Sequence, residues 1–165
     1  MASERVEPLR IALIAPNQIE AARSVIYTVG HQLFAREGQN YEAYRARLVK
    51  VGATYDVEAL PDSFLAFWVL LDGEEVVGTC GVRALGETAC ELKRMYFLPR
   101  VRGLGWGRRM GQTTLDWARN AGFQTMRLDT DFQLVAARRL YESLGFHEIP
   151  RYNDSPAELF FERQL

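Results

Sequence analysis

Apolar positions along this chain change their period several times, and each change marks an element. Leu9 to Ile14 is apolar with few breaks and reads as a first strand. After Pro16 and Asn17, the positions Ile19, Ala22, Ile26, Val29 and Leu33 recur at helical spacing as far as Phe34. Tyr41, Tyr44 and Leu48 define a shorter helix from Tyr41 to Val49, and the acidic stretch Gly52 to Asp62 reads as a loop. Phe64 to Leu71 and Glu75 to Arg83 are strands joined at Asp72-Gly73, a hairpin signal. Gly86 then turns the chain into the strand Ala89 to Leu98.

Pro99 ends that strand, and a glycine-rich loop leads into a helix reaching about Ala121. Trp106, Met110, Trp117 and Ala121 are its inward candidates, while Gly107, Gly111 and Ala118 permit close approach to a sheet. Gly122 is a C-terminal stop before the strand Thr125 to Asp129. Strand, helix and strand in so short a span predict a parallel pair with a right-handed crossover. Thr130 or Asp131 caps the next helix, whose Ala137, Leu140, Tyr141 and Leu144 share a face before Gly145 ends it. Phe146 to Ile149 and Glu158 to Arg163 are the last strands, separated by a loop with Pro150, Tyr152, Asn153 and Pro156. The fold class is α/β (α+β), with a mixed, mostly antiparallel sheet of six or seven strands and helices on both faces.

Composition narrows the choices. At 165 residues with a hydrophobic fraction of 48%, the chain 1–165 reads as a single domain with a substantial core. A net charge of −1 sets up no global field toward nucleic acid or an anionic membrane. Met1 to Arg10 carries Glu4, Arg5, Glu7 and Pro8 without an apolar core, which argues against a secretory signal. The longest apolar run, Phe64 to Leu71, is too short to span a bilayer. Cys80, Cys90, His31 and His147 have no metal-binding spacing, so no metal is expected. The cysteines fall on neighbouring strands as buried reduced thiols, and a cytoplasmic protein is expected.

The chemistry concentrates in Arg102-Gly103-Leu104-Gly105-Trp106-Gly107-Arg108. A helix start presents free N–H groups and the positive end of the macrodipole, and glycine lets that backbone approach an anion closely. The arginines at 100, 102, 108 and 109 surround the loop. No Gly-Lys-Ser/Thr triplet closes it, as a nucleoside-triphosphate loop requires. A dinucleotide G-x-G-x-x-G fails in both registers, where Arg108 or Met110 stands for the third glycine. Arg102, Gly105 and Gly107 instead satisfy Arg-x-x-Gly-x-Gly.

That pattern resembles the acetyl-coenzyme A (acetyl-CoA) loop of the GNAT family of N-acetyltransferases. Leu140-Tyr141-Glu142-Ser143-Leu144-Gly145-Phe146 resembles the family's Leu-Tyr-x-x-Leu-Gly-Phe signature, and Leu92 to Pro99 resembles its central strand. The likeness runs from the strand at Phe64 to the C-terminus. It implies a GNAT-like acyl-CoA N-acyltransferase fold, acetyl-CoA as cosubstrate without a metal, and a small-molecule or peptide amine as acceptor. Neither nucleic acid nor membrane is an expected partner, and a homodimer is left open.

By the same resemblance, the backbone of Met95, Tyr96 and Phe97 holds the pantetheine arm and carbonyl, and the loop from Arg102 to Arg108 holds the pyrophosphate. Tyr141 matches the general acid toward the thiolate. A phenol, with an ordinary pKa near ~10, stays neutral and able to donate beside a thiol near ~8.5. Glu91, six residues before Phe97, matches the glutamate base of the histone-acetylating branch; pairing with Lys93 or an arginine is the structural alternative. Tyr55, Asp56, Glu58 and Asp154 are reserve candidates on acceptor-side loops. Leu134 departs from the family, which often has a coenzyme-contacting asparagine there. Lys93, Arg94 and Trp106 receive no role. The enzymatic reading is direct acetyl transfer to a primary amine; its rival is a non-catalytic acyl-CoA-binding sensor or interaction module.

Overall fold

The computed structural model describes residues 8–165, so most of the Met1 to Arg10 stretch lies outside the described residues. Its strands are β1 (Arg10–Leu13), β2 (Ala66–Asp72), β3 (Glu75–Ala84), β4 (Ala89–Phe97), β5 (Thr125–Thr130), β6 (His147–Ile149) and β7 (Leu159–Gln164). The helices are α1 (Ile19–Phe34), α2 (Tyr41–Lys50), α3 (Tyr55–Glu58), α4 (Trp106–Asn120) and α5 (Val135–Ser143). Hydrogen bonding orders the seven strands β1-β2-β3-β4-β5-β7-β6. β1 runs antiparallel to β2, and β7 antiparallel to β5 and β6, while β4 and β5 are parallel with α4 as their connection. This is the mixed sheet expected from the alternation of strand and helix patterns.

The chain divides into two compact units. The first holds the described residues up to Gly81 together with Arg94–Arg102. Its core joins Ala22, Val25, Ile26 and Val29 of α1 to Tyr44, Val57 and Phe64, and to Phe67, Val69 and Leu71 of β2. Trp68 and Leu70 alternate with that last trio and are also buried, so both faces of β2 are covered. Asn40 caps α2 by accepting from the Ala43 N–H at 2.9 Å. At the β2–β3 hairpin, Gly73 takes a left-handed φ of 59°, which a two-residue loop requires at its first position.

Two expectations change. The Gly52 to Asp62 loop contains the short helix α3, started by the Val57 and Glu58 N–H groups donating to the Thr54 carbonyl. The helix read to Phe34 is α1 as it stands, with Leu33 exposed near its end. Ala121 likewise lies exposed beyond α4, whose buried face is Met110, Gly111, Thr114, Leu115 and Ala118.

The second unit is 82–93 with 103–165. Here α4 and α5 end in the same way. Gly122 and Gly145 adopt φ 93° and 88°. Phe123 N–H donates to the Ala118 carbonyl, and Phe146 N–H to the Tyr141 carbonyl. The glycine N–H groups close the inner bonds to Arg119 and Glu142, completing two Schellman motifs. The start of α5 differs from expectation. Leu134 occupies its N-cap without a side-chain bond, and Asp131 accepts from Glu158 N–H at 3.3 Å instead of capping the helix.

Candidate functional site

In the second unit, Gly105 is the N-cap of α4 with φ 87°, and Gly103 has φ 74°. A Cβ built on either glycine meets nothing within 4 Å, so these residues are glycine for conformation and access rather than for tight packing. The first turn of α4 therefore begins at an open backbone corner, and its leading N–H groups have no partner inside the helix. Leu104 is exposed, and the Arg109 guanidinium lies 4.7 Å from the Trp106 ring centroid. Arg108 donates to Ser143 Oγ at 3.0 Å, tying the loop's exit to the end of α5.

Farther along α4, a Cβ on Gly111 would come within 2.4 Å of Leu144 Cδ1. That position must be small for α4 and α5 to pack. Leu144 in turn belongs to the α5 terminus that carries Tyr141. The Tyr141 side chain is buried, and its ring meets the Phe146 ring edge to face at 6.0 Å. The Leu-Tyr-x-x-Leu-Gly-Phe signature is thus a helix ending: Gly145 supplies the left-handed turn, and Phe146 folds back onto Tyr141. Arg163 Nε reinforces it by donating to the Leu144 carbonyl at 2.7 Å.

Glu91 is 0% exposed on β4. Burying a carboxylate is tolerable only when its oxygens are bonded, and here they are. Arg83 Nε and Nη2 both lie 2.7 Å from Oε1. Tyr152 donates its hydroxyl to Oε2 at 2.6 Å, and Asn153 Nδ2 approaches the same oxygen at 3.4 Å. Asn153 also reaches Asp129 at 3.3 Å, and Lys93 Nζ lies 3.8 Å from Asp129 and 4.0 Å from Glu91. Burial, followed by the Glu91 hydrogen bond, pushes the Tyr152 phenol far above its ordinary value, so it remains a donor. Arg83, Tyr152 and Asn153 were not singled out by the sequence: Arg83 lies near the end of β3 and the other two in the loop before β7, and no periodicity links either place to Glu91. Pairing of Glu91 with an arginine and with Lys93, the structural alternative read from the sequence, is thus present in this network.

In the first unit, Met95, Tyr96 and Phe97 are half-buried at the end of β4. The Phe97 ring fills the space that a Cβ on Gly78 would occupy, 2.5 Å from Cδ1. Immediately before them Arg94 adopts φ 56°, a left-handed conformation rare for a side-chain-bearing residue and typical of a strand interruption. Its carbonyl accepts from Thr79 Oγ1 at 2.8 Å. Its guanidinium clasps Asp56 with bonds of 2.9 and 2.8 Å and adds the Ala53 carbonyl at 3.3 Å. Arg102 Nε donates to the Phe97 carbonyl at 2.9 Å.

Among the reserve residues, Asp56 is 2% exposed and committed to Arg94, whereas Tyr55 is 65% exposed. Glu58 accepts from Tyr27 at 2.5 Å, and Asp154 lies exposed in the loop before β7. Leu134 is half-buried at the start of α5. No helix among the described residues is long and apolar enough to cross a membrane.

Comparison with known proteins bears on these features. The chain is 40% identical over 87 residues to the uncharacterized N-acetyltransferase YjgM of Escherichia coli K12, covering 51% of this chain and 52% of that protein. It spans about half the length of the curated relatives it matches. Among solved structures, a GNAT-family acetyltransferase from Staphylococcus aureus Mu50 superposes with a TM-score of 0.78 at 20% identity, over 95% of this chain and 99% of the other. A second, yncA of Salmonella typhimurium, described as a putative acetyltransferase with its cofactor acetyl-CoA, gives 0.66 at 19% identity over 96% and 94%. Both show the fold. Residues 32–146 match the profile of the acetyltransferase (GNAT) family, which takes in the glycine loop, Glu91 and the Tyr141 signature, and the chain belongs to that family.

Proposed function

We propose that this chain is an acetyl-CoA-dependent N-acetyltransferase, working as one domain, that moves the acetyl group directly onto a primary amine of a small molecule or peptide. The observation that carries the reading is the open corner at Gly103 and Gly105 ahead of α4, which suits a pyrophosphate lying against backbone N–H groups. Arg102 and Arg108 add positive charge on either side of it, and Leu104, Trp106 and Gly107 complete the loop. The backbone of Met95, Tyr96 and Phe97 follows the kink at Arg94 and is assigned to the pantetheine arm and thioester carbonyl.

Acetyl-CoA supplies an activated acyl group; the chain's residues orient it and handle protons. Tyr141, held at the end of α5, donates to the departing sulfur. Glu91 accepts the proton that the acceptor ammonium must lose before it can attack. Direct transfer is favoured over an acyl-cysteine route because Cys80 and Cys90 are both fully buried, with their thiols pushed well up by that burial. Buried free thiols also suit a reducing compartment such as the cytoplasm.

The test is thiol release from acetyl-CoA by the purified chain across a panel of primary amines and amine-bearing peptides. Amine-dependent release of coenzyme A with a matching acetylated product is the expected result. Tight coenzyme binding without release for any amine would turn the reading toward a non-catalytic binding module.

A further inference from the structure

Glu91 is sealed. Its side chain has no exposed surface, two Arg83 nitrogens hold Oε1, and the Tyr152 hydroxyl and Asn153 amide lie against Oε2. Any proton arriving at Oε2 must therefore pass an atom already bonded to it. Of the two groups there, Asn153 can only donate through its amide, whereas a hydroxyl can give one proton and take another. Tyr152 is half-buried, standing where the sealed carboxylate meets the loop 150–157, with its ring edge-on to Phe160 at 5.3 Å and Arg127 5.4 Å from its centroid. The ring is thus gripped while the hydroxyl stays in line with Glu91.

We propose that Tyr152 is the proton relay of the transfer: its oxygen takes a proton from the acceptor ammonium while its own proton moves onto Glu91 Oε2. The step breaks one N–H bond and the Tyr152 O–H bond, and forms a new Tyr152 O–H and a Glu91 O–H. Tyr152 ends neutral as it began, Glu91 becomes a neutral acid, and the amine gains its attacking lone pair. The proton then leaves Glu91 for solvent by the same route reversed. The proposal rests on Glu91 as base and adds a path through the hydroxyl already bonded to Oε2. The charged groups around the pair are Arg83 from β3, Lys93 from β4, Arg127 and Asp129 from β5, and Glu162 from β7, which Arg127 holds at 2.7 Å.

The experiment compares wild type, Glu91→Gln, Tyr152→Phe and the double variant, reading kcat/KM for the amine from pH 6 to 9, with acetyl-CoA affinity and thermal melting alongside. The relay predicts that Tyr152→Phe loses activity by about the same factor as Glu91→Gln, on the order of 10²–10⁴. The loss should be greatest at low pH, where free amine is scarce, and the double variant should lose little more than either single one. Acetyl-CoA affinity should hold throughout. A fall for Glu91→Gln with a near-normal Tyr152→Phe overturns the relay and leaves the base. Wild-type activity in Glu91→Gln overturns the base assignment and the relay with it. Should Tyr152→Phe melt prematurely, a ring-fluorinated tyrosine at 152 decides, being nearly the same size and more acidic. The relay then predicts a displaced pH profile at unchanged acetyl-CoA affinity, and an undisplaced profile overturns it.

Discussion

Phe146 is folded back on Tyr141 twice over, its N–H donating to the Tyr141 carbonyl at 3.0 Å and its ring meeting the Tyr141 ring at 6.0 Å with planes 67° apart. Backbone and ring of the proposed acid are therefore fixed by the residue that ends its helix. Tyr141→Phe keeps the ring contact and removes the proton donor. We expect thermal stability within about 1 kcal/mol of the parent, near-native coenzyme affinity, and turnover lower by ~10²–10⁴. Steady-state kinetics with a calorimetric binding measurement check this, and parent-rate turnover in the folded variant would remove Tyr141 from the mechanism.

Gly105 offers a separate handle on the coenzyme. Its φ of 87° strains any other residue by about 1–2 kcal/mol, but a Cβ there meets only open space. Gly105→Glu should therefore fold, with a modest loss of stability, while its bulk and charge block an anion at the α4 N-terminus. Circular dichroism should be native-like and acetyl-CoA binding lost by isothermal titration. Undiminished binding would sink the pyrophosphate assignment.

The clasp between Arg94 and Asp56 holds a strained backbone residue in place. Asp56 is almost fully buried, and removing one partner of such a pair costs about 3–5 kcal/mol. The lower end is expected for Asp56→Ala by urea denaturation, because the Arg94 guanidinium keeps some contact with solvent. Arg94→Gly and Arg94→Ala both lose the clasp, yet glycine adopts φ 56° freely. Arg94→Gly should be the more stable of the two by about 1 kcal/mol, and equal stabilities would mean that the left-handed residue carries no strain.

Three phenols give the protein a defined response to alkali. Burial, then the hydrogen bond with Glu58, pushes the Tyr27 phenol up to about 12. Burial chiefly, with Tyr96 nearby, raises Tyr44, and burial with Glu91 raises Tyr152. In the unfolded chain such phenols ionise near ~10. The folded state then binds more protons than the unfolded one, so stability is fully present below pH ~10 and falls as pH rises beyond it. Urea midpoints should be flat on this account up to pH 9 and decline from 10 to 12. Phenolate absorbance from these residues should appear only with unfolding; its appearance in the native state at pH 10 would contradict the burial argument.

Much of this architecture was legible in the residues, for identifiable reasons. The strands around Asp72-Gly73, the helix stops at Gly122 and Gly145, and the open loop before α4 each depend on local chemistry that a short window contains. Ala121 was misread because helical spacing does not reveal where the neighbouring layer ends. The cap expected from Thr130 or Asp131 failed because Asp131 is taken by Glu158, 27 residues away. Tyr152 and Asn153 bond to Glu91 across 61 and 62 residues, a pairing that only the folded sheet creates. Arg94 was silent for the same reason: its role lies in a backbone angle and in Asp56, neither visible along the strand pattern.

The two free cysteines fall one to each compact unit, Cys80 in the first and Cys90 in the second, and both are fully buried. Burial pushes the Cys90 thiol up to about 12 and the Cys80 thiol further still, so neither reacts while its surroundings stay closed. Reaction with a thiol reagent then measures how often each unit opens. A ligand bound to only one unit slows labelling of that unit's cysteine in proportion to its occupancy. The pair thus makes the chain its own two-channel recorder, able to report which half a given coenzyme fragment or amine grips before any turnover is observed.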